Sequence, residues 1–202
     1  MPALRVQIPQ VYLHGIPVVH RDIKPSNVLC ERMEDGSVKF ILADFGLASF
    51  VTDTENMSRH CGTSGFIAPE LLYRKWTRAL VQAGVTSLTK IDAFSYGILI
   101  YTAVFGKNPF MDEEKNLMYR NNARAVLPLA EMAGRSDELQ HLLVGLCAKY
   151  PHHRFTSAEA LAAPWFSTDR GEPYSSRDWT HPKLAWAEFE AAARQSRTGL
   201  QV

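Results

Sequence analysis

His20-Arg21-Asp22-Ile23-Lys24-Pro25-Ser26-Asn27 places a guanidinium, a carboxylate, an ammonium and an amide oxygen within eight positions, with Pro25 stiffening the backbone between them. This is a set suited to handling phosphate groups. Val18-Val19 precede it and Val28-Leu29 follow, two short apolar anchors that pin the polar loop at both ends. Taken alone, the stretch also reads as a polar turn that happens to contain an Arg-Asp pair.

A second acidic turn, Ala43-Asp44-Phe45-Gly46, ends in a glycine that frees the backbone for an unusual conformation. Magnesium prefers hard oxygen ligands and takes one or two carboxylates beside substrate phosphates, so an asparagine and an aspartate from two loops suit it. The intervening residues permit the meeting. Val28-Leu29-Cys30 and Val38-Lys39-Phe40-Ile41-Leu42 read as two short strands around an Asp35-Gly36 turn, a hairpin that returns Asp44 towards Asn27.

His20-Arg21-Asp22, Asp44-Phe45-Gly46 and Ala68-Pro69-Glu70, in that order, resemble the signature triplets of the eukaryotic protein kinases, from about Val11 to Phe166. The resemblance implies an α+β, protein-kinase-like fold: a mainly helical large lobe with a short β-hairpin. It places a partial kinase domain at residues 1–166 and a tail at 167–202. No Gly-x-Gly-x-x-Gly loop, no Val-Ala-Ile-Lys strand and no Gly-x-x-x-x-Gly-Lys loop occurs in the sequence. The small lobe is therefore expected to be absent from this chain, as a fragment, an incomplete gene model or a natural truncation, and the chain alone to be weakly active or inactive.

By the same resemblance Asp22 orients and deprotonates a substrate hydroxyl, Lys24 neutralises charge on the moving phosphoryl, and Asn27 and Asp44 hold Mg2+. With Leu29 as part of the adenine floor, Lys24, Asn27 and Asp44 make up the ATP-binding set. Leu47 to His60 corresponds to the activation segment, where an added phosphate would pair with Arg21. Ser58 is the first candidate and Thr54 the second, although the position nearest the family's usual site is Arg59. Thr63 together with Lys24 marks serine/threonine-directed members. Ser26, where arginine-directed members carry an acidic residue, argues against a strong preference for basic substrates.

Five further residues are implied as structural. Glu70 is expected to pair with Arg154; His20 and Phe45 belong to the two acidic motifs. Asp92, in Asp92-Ala93-Phe94-Ser95-Tyr96-Gly97-Ile98-Leu99, is expected to accept backbone N–H bonds from the His20-Arg21 turn at the start of a central hydrophobic helix, with Phe94 where tryptophan is more usual. Leu71 to Lys90, which includes Trp76, is longer than this connection usually is. A polar helix is expected over 112–125, a buried-face helix over Leu139 to Ala148, and a short helix capped by Thr156 or Ser157 and ended by Pro164.

Composition sets the outer limits. The chain has 202 residues, 46% of them hydrophobic, which suffices for one domain with a real core, and its net charge of +1 offers no electrostatic footprint for nucleic acid or a membrane surface. Cys30, Cys61 and Cys147 lack the paired spacing of a disulfide framework or zinc site. His152-His153 likewise lacks a companion ligand cluster. The apolar run Ala93 to Phe105 falls short of the roughly 20 residues that span a bilayer. The N-terminal residues, broken by Pro2, Pro9 and Pro17, are not a secretory signal, so cytosol or nucleus is the expected location.

The expected partners are proteins presenting Ser or Thr. The tail turns Ala-rich from Leu184 through Trp186, Phe189 and Ala193, and a short amphipathic helix there would serve as an autoinhibitory or partner-binding element, as in calmodulin-regulated kinases, or simply fray. Two rival functions stay open. One is a catalytically silent kinase-like binding or scaffold module. The other is a magnesium-dependent hydrolase built on Asp22 and Asp44, for which no water-activating residue is evident.

Overall fold

The computed structural model describes residues 15–34, 38–72, 77, 85–110 and 127–166. The helix end at 11–14, the turn at 35–36, most of the long connection with Trp76, the polar helix at 112–125 and the tail from 167 lie outside them.

Among the described residues four short strands form two separate antiparallel pairs. β2 (Val28–Arg32) pairs with β3 (Val38–Leu42) in the register Val28 to Leu42 and Leu29 to Ile41, the hairpin that the turn signal predicts. β1 (Val18–Val19) pairs with β4 (Ser49–Phe50), a strand within the stretch that the sequence reads as the activation segment. The two ladders clamp the segments carrying His20 to Asn27 and Ala43 to Gly46 from both ends.

Beneath them lies a helical body. α1 (Thr54–Met57) is a single turn, begun by Asp53, whose carboxylate accepts the Asn56 N–H at 3.0 Å. α2 (Val85–Phe105), about 31 Å long at 1.5 Å per residue, is the central element. It starts seven residues before Asp92, so that carboxylate sits inside the helix rather than at its start. Over Leu88–Phe105 it is long and apolar enough to cross a membrane, but 61% of that window is buried inside the fold. A helix apolar all round needs such cover.

α4 (Asp137–Leu146) supplies much of it. Leu139, Leu142, Leu143 and Leu146 recur at helical spacing on one face and are all buried, and Ser136 caps the first turn by accepting the Leu139 N–H. α3 (Leu129–Met132) buries Met132, and α5 (Ser157–Leu161) opens with a capping box in which Thr156 and Glu159 satisfy each other's backbone N–H. Arg154, Phe94 and Phe110 stack in sequence through the core, the guanidinium 5.0 Å from the Phe94 ring centre and the two rings 6.1 Å apart.

α2 lies close against the C-terminal end of α4 because glycine stands at the contact, and a second glycine, on α4, admits the Phe155 ring. A Cβ on Gly97 would lie 2.6 Å from the Cys147 sulfur and 2.8 Å from the Leu146 Cβ; one on Gly145 would strike the Phe155 ring. Burial pushes the Cys147 thiol up to about 12, an inert core sulfur. Cys30 is exposed and Cys61 half-buried; all three are free thiols. Gly97→Ala is expected to destabilise the fold by about 1–3 kcal/mol through overpacking, read as a lower denaturant midpoint with an unchanged slope.

Candidate active site

The site is assembled on Asp92. This fully buried carboxylate accepts the backbone N–H of His20 at 2.7 Å and of Arg21 at 2.9 Å. A buried charge must be satisfied in this way or shift its protonation. The pair of bonds bends the loop over the helix, and Arg21 takes a left-handed conformation at φ 66°, a backbone state that costs a non-glycine residue about 1–2 kcal/mol.

The two neighbouring side chains then leave in different directions. Arg21 reaches the later segment, donating from Nε to the Leu47 carbonyl at 2.7 Å and from a terminal nitrogen to the Asn56 carbonyl. Its guanidinium thus holds the chain after Gly46 and the α1 turn together. Thr54 and Ser58, both exposed, lie two residues on either side of Asn56, and the Ser58 hydroxyl donates to the Thr54 carbonyl at 2.6 Å.

His20, fully buried, ties the first loop to the second acidic turn. Its Nε2 bonds the Ala43 carbonyl at 3.0 Å, and its Nδ1 accepts the Asp22 N–H over a long 3.4 Å, a network that selects the neutral Nε2–H tautomer. The half-exposed Phe45 ring meets the imidazole edge-on at 5.0 Å. Asp44 is also left-handed, at φ 60°; its exposed carboxylate accepts the Gly46 N–H at 3.2 Å.

A one-turn 3-10 helix, Pro25–Asn27, turns Asn27 back towards Asp22. The Asn27 amide nitrogen donates to the Asp22 carbonyl at 2.9 Å and to its carboxylate at 3.2 Å, which leaves the amide oxygen as the face available to a cation. The Ala43 N–H donates to the Asn27 carbonyl at 2.8 Å, one rung beyond the hairpin register, so Asn27 and Asp44 flank the open end of one ladder. Among the described residues no group of three or more His, Cys, Asp or Glu forms a metal cage.

Asp22, Lys24 and Thr63 close a triangle. The Thr63 hydroxyl donates to Asp22 Oδ1 at 2.7 Å, Lys24 Nζ donates to the Thr63 oxygen at 2.8 Å, and the same ammonium lies 2.8 Å from Asp22 Oδ2. Burial pushes the Asp22 carboxyl up, but hydrogen bonds from Lys24, Thr63 and Asn27 and the lysine's charge together hold it below the usual range. The pair sits 8% and 22% exposed, where charge-assisted bonds keep most of their strength.

Glu70 and Arg154 form a fully buried two-pronged ion pair at 2.6 and 2.9 Å, and Arg154 spends its remaining donors on the carbonyls of Ala148, Lys90 and Lys149. Their function is mechanical: they fasten the end of the segment that carries Thr63 to the helical body. Leu29 stands apart, 55% exposed on the hairpin beside Ile41. The reading by motif missed Ser95 and Asn108, whose side chains hold the Thr63 loop from below, because neither belongs to a recognised triplet.

Two outcomes follow from these pairings. Lys24→Met removes the cation while leaving the burial, so the Asp22 carboxyl, followed by NMR titration, should move up. The wild-type contribution, present at neutral pH, is lost as the pH falls below about 3.9 and through the depressed folded value. Arg154→Ala strands the buried Glu70 charge and should cost about 3–5 kcal/mol in equilibrium unfolding.

Comparison with known proteins gives the family. The profile of the protein kinase domain matches residues 9–166. Similar curated proteins include a probable serine/threonine-protein kinase 2 of Plasmodium falciparum, 32% identical over 164 residues, and the probable serine/threonine-protein kinase fhkB of Dictyostelium discoideum, 33% identical over 161. A probable myosin light chain kinase of Dictyostelium discoideum is 31% identical over 157 residues. These alignments take in 80%, 79% and 77% of this chain but only 30%, 13% and 48% of the relatives. The fold is similar to the Rad53 kinase domain solved with SCD2, at TM-score 0.62 and 23% identity over 91% of this chain and 61% of that one. A second Rad53 structure, with SCD2 and AMPPNP, gives TM-score 0.59 at 24% identity, over 83% of this chain and 57% of that one. With its profile match running through the His20–Asn27 loop, the Asp44 turn and the Glu70–Arg154 lock, the chain belongs to the protein kinase family.

Proposed function

We propose that this chain carries the catalytic loop of a serine/threonine protein kinase, moving the γ-phosphoryl group of ATP to a Ser or Thr hydroxyl of a protein. One observation carries the reading: Asp22 and Lys24 hold a hydroxyl, that of Thr63, between a carboxylate and an ammonium at 2.7 and 2.8 Å. An incoming alcohol at the same place would have its proton directed at Asp22 and its reacting oxygen near Lys24.

In this reading Asp22 orients the alcohol and accepts its proton as the O–P bond forms, while Lys24 balances the charge that builds on the transferred group. Asn27 and Asp44 fit a Mg2+ ion: two hard-oxygen side chains flank the end of the hairpin, a donor set that a phosphate-bound magnesium would complete with nucleotide oxygens. The ion would neutralise the phosphate charge there. Leu29 and Ile41, a cross-strand pair with exposed apolar surface, suit an adenine ring.

Regulation of the segment after Gly46 belongs to the same proposal. Arg21 spends its guanidinium on the Leu47 and Asn56 carbonyls, which ties the two parts of the segment together. A phosphoryl group on Ser58 or Thr54 would compete for that guanidinium. A regulatory partner for the tail and a cytosolic or nuclear location rest on the sequence alone.

The test is transfer of labelled phosphate from ATP to a mixture of Ser/Thr peptides by the full chain, and by the chain joined to a kinase small lobe. Label on peptide in either form supports the reading; transfer in neither points to a binding module, and phosphate release without labelling to a hydrolase. In the active form Asp22→Asn should lower kcat by about 100- to 1000-fold with little change in the unfolding midpoint.

A further inference from the structure

The loop that presents Thr63 is itself held from below. Thr63-Ser64-Gly65-Phe66 forms a tight turn, closed by the Phe66 N–H on the Thr63 carbonyl at 3.0 Å, with Gly65 at φ 87°, a value that favours glycine at the third position. Gly62 before it sits at φ 110°, and a Cβ there would come within 2.8 Å of the Arg21 carbonyl, so the turn lies directly against the catalytic loop. Two successive carbonyls of the turn point into the body and are caught by side chains. Ser95, on α2, donates to the Phe66 carbonyl at 2.7 Å, and Asn108, from the Gly106–Phe110 turn, donates to the Gly65 carbonyl at 3.1 Å.

Asn108 is 7% exposed and uses both ends of its amide. Its nitrogen holds Gly65, while its oxygen accepts the Phe110 N–H at 2.9 Å, two residues on, which closes its own turn. A donor and an acceptor on one planar group therefore couple the turn after α2 to the turn that presents the Thr63 hydroxyl to Asp22 and Lys24. The link spans 43 positions of sequence.

We propose that Asn108, with Ser95 beside it, is a positioning residue for the substrate-facing turn: it fixes the height of Thr63 over Asp22 and so the place where a protein's hydroxyl-bearing strand must lie. This rests on the kinase reading above for its consequence, and on the Gly65 contact for its geometry. Neither side chain touches the reacting atoms. Their effect runs through the backbone of Gly65 and Phe66, so it should fall on the protein substrate and leave the nucleotide alone.

Asn108→Asp separates the two uses of the amide. Aspartate keeps the acceptor for the Phe110 N–H and loses the donor to Gly65, whereas Asn108→Ala loses both. Amide hydrogen exchange across residues 61–67 of the full chain should rise about 5-fold in Asn108→Asp, the equivalent of one lost hydrogen bond, with protection of α4 unchanged. In the form that transfers phosphate, KM for peptide should rise by a similar factor while KM for ATP stays at the wild-type value; Ser95→Ala should act in the same direction.

Wild-type exchange at 61–67 in Asn108→Asp overturns the proposal, as does a uniform loss of protection over the whole fold, which would make Asn108 merely structural. Raised exchange with an unchanged peptide KM also overturns it, since substrate would then not read the turn. A wild-type chain that transfers no phosphate in either form defeats the kinase reading and with it the substrate consequence, while exchange at 61–67 still decides separately whether Asn108 holds the turn.

Discussion

A carboxylate with no exposure to water, Asp92 in the middle of α2, receives two consecutive backbone N–H groups, and the position of everything above it depends on that acceptor. Its cost is the desolvation of a charge; its return is that two buried donors, each worth about 1–3 kcal/mol if left unmade, find partners at fixed places. With His20 and Arg21 tied to one side chain, the loop has no freedom to slide along the helix. The left-handed backbone at Arg21 is then a consequence: both N–H groups face the same carboxylate only if the chain turns sharply there.

From that anchor the constraints spread outward without another covalent tie. His20 transfers the position of the loop to Ala43, and the Asn27 carbonyl does so again through the next rung. Arg21 transfers it to Leu47 and Asn56, and Thr63 to the turn that Ser95 and Asn108 hold. Positive φ values at Arg21, Asp44, Gly62 and Gly65 gather in this one region. Such conformations persist where surroundings over-determine them, and here every one of those residues lies beside a side chain bonded to backbone.

Much of this was legible in the sequence, for reasons that differ residue by residue. The three triplets are readable because their chemistry needs particular residue types at close spacing, and the β2–β3 hairpin because a turn signal separates two strand-like runs. α4 shows its period of leucines. By contrast β1 and β4 have two residues each and only one partner apiece, too short for any periodicity, and α1 is a single turn whose sole signal is the Asp53 cap. Asn108 and Ser95 reach Gly65 and Phe66 across 43 and 29 positions, a distance at which local pattern carries no information. The start of α2 reads too late from sequence because Val85 to Ile91 mixes polar and β-branched residues ahead of the apolar run, while within that run Ser95 and Thr102 bond carbonyls of the fold and Gly97 is where α4 comes close.

The electrostatics of Asp22 bear on how such a site would work. A carboxyl held below its usual range is ionised at neutral pH, and by the same token it is a weak base towards a neutral alcohol. It cannot strip a hydroxyl, whose own affinity for the proton is far greater, before bonding to phosphorus has begun. In the proposed transfer the proton would become transferable only as the oxygen gives up electron density to the incoming phosphoryl, so Asp22 would contribute chiefly by aiming the lone pair and would take the proton late. Geometry then outweighs basicity, and this is consistent with the number of independent contacts, from Lys24, Asn27 and Thr63, that fix the direction of one carboxylate.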